Sequence, residues 1–179
     1  MAEVLLTSEA FVKRVTGLRD NLAGAYLLPS IREAQESGLR PVLGDALTER
    51  LKELVRTGEI GVPENTRYRE LLDRCQYYLA YAAVSEAEMR VTLKIGNFGV
   101  ARSSDERLEP ADGADLAKAQ EWWQDKADGC CLRLQEWLLV RRAEFPELDE
   151  SDCGRLKANL RSAASCGIWL GGPRGKISR

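Results

Sequence analysis

Leu71-Leu-Asp-Arg-Cys-Gln-Tyr-Tyr-Leu-Ala-Tyr-Ala-Ala-Val-Ser-Glu-Ala-Glu-Met89 decides how this chain of 179 residues folds. Leu71, Cys75, Tyr78, Ala82, Ser85 and Met89 recur at steps of three and four, which is one face of an α-helix. Leu72, Leu79 and Ala83 widen that face, and Tyr77 and Tyr81 open a third side. A helix apolar over so much of its circumference is either central in its fold or covered by a second molecule. The pattern begins after Pro63, a natural start for a long helix.

A second long pattern runs from about Ala114 to Arg142. Leu116, Trp123, Cys130 and Trp137 stand seven residues apart, with Ala119, Ala127 and Leu134 between them. Two such segments pack as the antiparallel trunk of a bundle. The expected fold is therefore mainly α, a helical bundle with two long antiparallel trunk helices and short N-terminal helices. Between the trunk segments lies Val91-Thr-Leu-Lys-Ile-Gly-Asn-Phe-Gly-Val100, which alternates like a strand and contains a Gly-Asn-Phe-Gly turn. It predicts a small strand-like arm or hairpin at about 91–102. An isolated two-stranded hairpin is marginal in water, so the arm is expected to pair with another chain or to pack on the helices. Residues 102–113 are polar and read as an exposed loop, with Asp112 or Gly113 as the cap of the second trunk helix.

Outside the trunk the chain is punctuated. Thr7-Ser-Glu-Ala-Phe caps a short first helix, and Leu27, Ile31 and Ala34 continue at helical spacing, with Pro29 in an early turn or at a kink. Gly38 and Pro41 are expected to break the chain. Leu43, Leu47, Leu51 and Leu54 mark one face of a following helix that stops at Thr57-Gly58. This is a helix-turn-helix in outline only, because Asp45, Glu49 and Glu53 place carboxylates where a recognition helix needs Arg, Lys or Asn. Phe145-Pro146 ends the trunk, and Leu156, Leu160 and Ala163 suggest one more short helix. The domain plan is a single helical domain over 1–179, an inserted arm and loop at 91–113, and a basic, flexible tail at 165–179.

Composition removes several classes. There is no histidine, so Ser-His-Asp and Cys-His catalysis is excluded and no enzyme activity is expected. Five cysteines include no Cys-x-x-Cys pair, which supports neither a disulfide framework nor a zinc site. Asp105, Glu106 and Glu109, like Glu147, Asp149, Glu150 and Asp152, fall in polar stretches where solvated charge is the ordinary explanation. Gly171-Gly-Pro-Arg-Gly-Lys-Ile-Ser178 fails as a phosphate loop, because Leu170 stands where the first glycine belongs and Ile177 separates Lys176 from Ser178. No cofactor and no metal are expected. No membrane span or leader is legible, and a cytoplasmic start is expected.

Charge is distributed unevenly. Residues 153–179 carry +6 and the remainder −8. Such a tail on an acidic body is compatible with binding nucleic acid, with docking on a neighbouring subunit's acidic face, or with solvation alone. Aromatic residues are not interleaved with its charges, which argues against base stacking. The tail positions singled out as contacts are Arg174, Lys176 and Arg179.

The order of the pieces resembles a known family. Ile31-Arg-Glu-Ala-Gln, Leu39-Arg-Pro-Val-Leu-Gly-Asp-Ala-Leu-Thr-Glu-Arg-Leu, the Tyr- and Ala-rich trunk helix, Ile95-Gly-Asn-Phe-Gly-Val and the second trunk helix together resemble head-tail connector, or adaptor, proteins of tailed phages. More narrowly, the chain looks like connector-like proteins from phages and prophages of gut bacteria, which often end in a stretch like Gly167 to Arg174. The resemblance covers roughly residues 25–175 and rests on order. It implies a virion structural protein that forms a ring between portal and tail, with the portal protein and tail or stopper proteins as partners. Non-specific contact with DNA in the channel and no membrane contact go with it, as does a location in the virion after assembly in the host cytoplasm. Rings require one patch of a subunit to meet a different patch of the next. The two patches expected are the Tyr77 and Tyr81 side of the trunk and the arm, with Val91, Leu93, Ile95, Asn97, Phe98 and Val100, acting by strand addition. The alternative is a soluble bacterial helical protein that binds a partner or nucleic acid through its basic tail.

Overall fold

Ser8 starts the first helix. Its hydroxyl accepts from the Phe11 backbone N–H at 3.2 Å, and α1 runs Glu9–Thr16. The computed structural model describes residues 3–18, 24–96, 99–102 and 113–148, with residues 25, 89–96, 99–102 and 113–116 described as backbone only.

The next helix departs from the punctuation in the sequence. Gly38 and Pro41 do not break it. α2, Gly24–Glu33, passes into a π-helical segment, Ala34–Leu39, and on into α3, Arg40–Leu43. A π turn absorbs one extra residue without ending a helix. Pro41 is the second residue of α3 and follows directly on the π segment, whose widened turn already departs from the regular α-helical hydrogen-bond ladder. Gly38 is required by a close approach: a β-carbon there would lie 2.0 Å from the Tyr78 hydroxyl. The break falls at Gly44, whose φ of 79° belongs to the left-handed half of backbone space.

α4 then runs Asp45–Thr57 and ends at Gly58. Leu43, Leu47, Leu51 and Leu54 are all fully buried, as their spacing requires. The α2–π–α3 rod is clamped to α4 by charge. Glu36 accepts from Lys52 at 2.6 Å and from Arg40 at 2.7 Å, and Arg40 also reaches Asp45 at 2.9 Å and Glu49. Two short 3-10 turns, Glu59–Gly61 and Pro63–Asn65, lead into the trunk.

α5 spans Thr66–Thr92 and α6 spans Gly113–Val140. Their pairing runs antiparallel, because contacts late in α5 meet residues early in α6 and the reverse. Trp123 donates to Glu88 at 2.7 Å, Ser85 to Gln124 at 3.4 Å, and Arg74 lies over Trp137 near the other end. α5 is buried on two sides. Leu71, Leu72, Cys75, Tyr78, Leu79 and Ala82 join α4, the π segment and α6 in the main core. Ala80, Ala83, Val84 and Ala87 pack against Val12 of α1 and Leu27 and Ile31 of α2. The broad apolar circumference of α5 thus marks the central helix of a bundle.

α5 continues through Val91 and Thr92, so the extended segment starts at Leu93. The backbone of β1, Leu93–Gly96, pairs antiparallel with β2, Gly99–Arg102, with Ile95 opposite Val100 and Gly96 opposite Gly99. The N-terminal segment is stitched down by two amides. Gln35, fully buried, accepts from the Leu6 N–H at 2.8 Å and donates to the Val4 carbonyl at 3.2 Å, and Gln76 donates to the Leu6 carbonyl at 2.9 Å. After α6, Phe145 and Leu148 fold back into the core beside Trp137 and Tyr68.

Candidate subunit interface

Arg74, Tyr77 and Tyr81 follow one another at steps of three and four on α5, so they share its outer side. On α6, Arg133 and Leu134 stand three and four residues after Cys130 and so lie beside it on the helix surface. Antiparallel packing brings the two triplets together around an open groove of about 240 Å³. Tyr77 is 50% exposed, Tyr81 is half-buried, and Leu134 forms a buried floor.

Aromatic contacts extend the groove in both directions. Phe11 of α1 meets Tyr77 edge-on at 5.7 Å between ring centroids, with the Arg14 guanidinium over its face. On the other side Tyr81 stacks on Trp123 at 6.2 Å, and Trp123 meets Trp122 edge-on at 4.5 Å. Trp122 is 51% exposed and carries Lys126 over its ring. Tyr, Trp and Arg are the residues over-represented where binding energy concentrates in protein interfaces.

The electrostatics of the groove are cationic. Arg74 lies over Trp137 and Arg133 donates to the Cys130 sulfur at 3.2 Å, and neither meets a carboxylate among the described residues. Burial, with Asp128 and Cys130 beside it, pushes the Cys131 thiol up to about 11, and burial raises the Cys75 thiol further. Both stay protonated near neutral pH and act as small apolar groups. No group of three or more metal-ligating side chains occurs among the described residues.

Of the residues singled out from sequence, Tyr77 and Tyr81 are brought together in this groove. Val91 lies in the last turn of α5, Leu93 and Ile95 lie on β1, and Val100 lies on β2. Asn97, Phe98, Arg174, Lys176 and Arg179 lie outside the described residues, as does the short helix expected near Leu156 to Ala163. Arg74, Arg133, Trp122 and Phe11 were not singled out from the sequence. The signal for Arg74 was available, since it sits three residues before Tyr77 on the side that Tyr81 shares. Arg133 became visible only once the register of α6 on α5 was known.

The architecture is a mainly helical bundle built on a central antiparallel pair, with an aromatic and cationic groove on its outer side. The chain belongs to a family of unknown function, DUF6712, which matches residues 39–158 and so spans α3 to α6 and every lining residue of the groove. No curated protein and no solved structure matches it.

Proposed function

We propose that this protein is a structural subunit of a phage virion, a head-tail connector that forms a ring between portal and tail. The observation that carries the reading is the aromatic, cationic face of Tyr77, Tyr81, Trp122, Arg74 and Arg133 on the outer side of the trunk. A monomer has no structural need for such a face, whereas a ring subunit needs two dissimilar patches. The resemblance in the order of segments to connector proteins supports the same role. In this account the hairpin of β1 and β2 is a second contact surface, through which main-chain hydrogen bonds reach a neighbour by strand addition.

The test is co-sedimentation of the purified chain with the portal protein of the same genome. The connector reading expects a stoichiometric complex with the wild-type chain and loss of ring closure when Gly96 to Gly99 is deleted. Absence of any complex across a range of salt concentrations contradicts it.

A further inference from the structure

The turn between α4 and α5 sets an exposed apolar residue between two exposed carboxylates. In Glu59-Ile-Gly-Val-Pro-Glu64, Val62 is 41% exposed, and the exposed carboxylates of Glu59 and Glu64 flank it without a partner among the described residues. The turn is firmly built. The Val62 N–H donates to the Glu59 carbonyl at 3.1 Å, Asn65 donates to the Glu59 carbonyl through its side chain at 2.9 Å and to the Val62 carbonyl through its backbone at 2.9 Å, and the Thr66 hydroxyl donates to the Pro63 carbonyl at 2.7 Å. Its shape is therefore set before binding, which reduces the ordering cost of association.

The groove offers the complement. Arg74 and Arg133 flank an opening walled by Tyr77 and Tyr81 and floored by Leu134 and Cys130. The turn cannot enter its own groove, because Arg74 to Tyr81 lie roughly 12–22 Å along the helix axis from Thr66. We infer that Val62 of one copy inserts into the groove between α5 and α6 of the next, with Glu59 and Glu64 meeting Arg74 and Arg133. The contact joins two different patches, so repetition generates a ring or an open array. This inference rests on the reading of the chain as a ring subunit and names the contact that builds it.

Charge reversal in the full chain tests it by light scattering and sedimentation over a range of concentration and salt. The wild type is expected to self-associate more strongly at low salt. Arg74→Glu with Arg133→Glu should weaken association at least ~10-fold, as should Glu59→Arg with Glu64→Arg, because each creates like-charge contacts. Mixing the two variants should restore association, since each presents what the other lacks. As an independent measurement, Val62→Cys should form an intermolecular disulfide with the native Cys130 on mild oxidation. The proposal is overturned by a chain that stays monomeric and gives no such crosslink. It is also overturned if groove reversal weakens association while turn reversal does not, because another acidic segment then fills the groove. Portal complexes separate this proposal from the connector role. Closed rings formed on portal by the Arg74→Glu, Arg133→Glu variant retain that role and refute this contact, whereas wild-type association through 62 and 130 without portal binding retains the contact and refutes the role.

Discussion

Single side chains carry much of what makes this bundle specific. Gly38 exists to admit Tyr78, and Gly38→Ala should destabilise the fold by about 1–3 kcal/mol through overpacking. Combination with Tyr78→Phe should cost less than the sum of the two single changes, because it removes the atom nearest the new methyl, and a urea double-mutant cycle measures the coupling. Gln35 satisfies two backbone groups of the N-terminal segment at once, so Gln35→Leu should cost about 1–3 kcal/mol by orphaning them in a buried site. Two carboxyls respond to pH with opposite sign. The bond from Lys52, with Arg40 beside it, holds Glu36 below the ordinary carboxylate value against the opposing effect of burial. The stability it contributes is present above its unfolded pKa and lost as pH falls through the lower folded one. Burial raises Glu88, whose second oxygen lacks a hydrogen-bond partner, although the Trp123 indole opposes the shift. Its contribution is present below the unfolded pKa and lost as pH rises through the raised folded one. Glu36→Gln should therefore lower the urea midpoint at pH 7 and do so progressively less towards pH 3. Glu88→Gln should leave the midpoint at pH 7 unchanged or higher, because the amide oxygen still accepts from Trp123.

Among the elements, α5 decides the architecture and was the most legible in the sequence. Leu71, Cys75 and Leu79 repeat at four-residue steps and are all fully buried, and the apolar breadth of the helix is used by two cores on different sides. The heptad of α6 was legible as well, although Ala127 and Leu134 are buried more completely than Trp123 and Cys130. Gly38 and Pro41 misled for a physical reason. Local propensity reads each as a breaker, but Tyr78, forty residues later in the chain, creates the need for a glycine, and Pro41 follows directly on the π turn, which already departs from the regular ladder. Long-range packing of this kind has no local signature. The groove was half legible for the same reason, since Tyr77 and Tyr81 lie on one helix while Arg133 reaches them only through the register of α6. That register makes Leu134→Ala a direct probe of the trunk. It should cost about 2–5 kcal/mol in urea unfolding and enlarge the groove from below.

The molecule as a whole presents a well-packed helical trunk, a two-stranded hairpin and an aromatic, cationic groove facing outward. Its exposed Tyr, Trp and Arg side chains suit it to contact. The central claim is that the chain builds a ring on a portal. Electron microscopy of the purified chain mixed with the portal protein of its own genome tests this most directly. The account predicts an additional ring of density on the tail side of the portal, with neighbouring trunks in contact through the groove. Portal particles that remain bare at saturating chain concentration and low salt would contradict it.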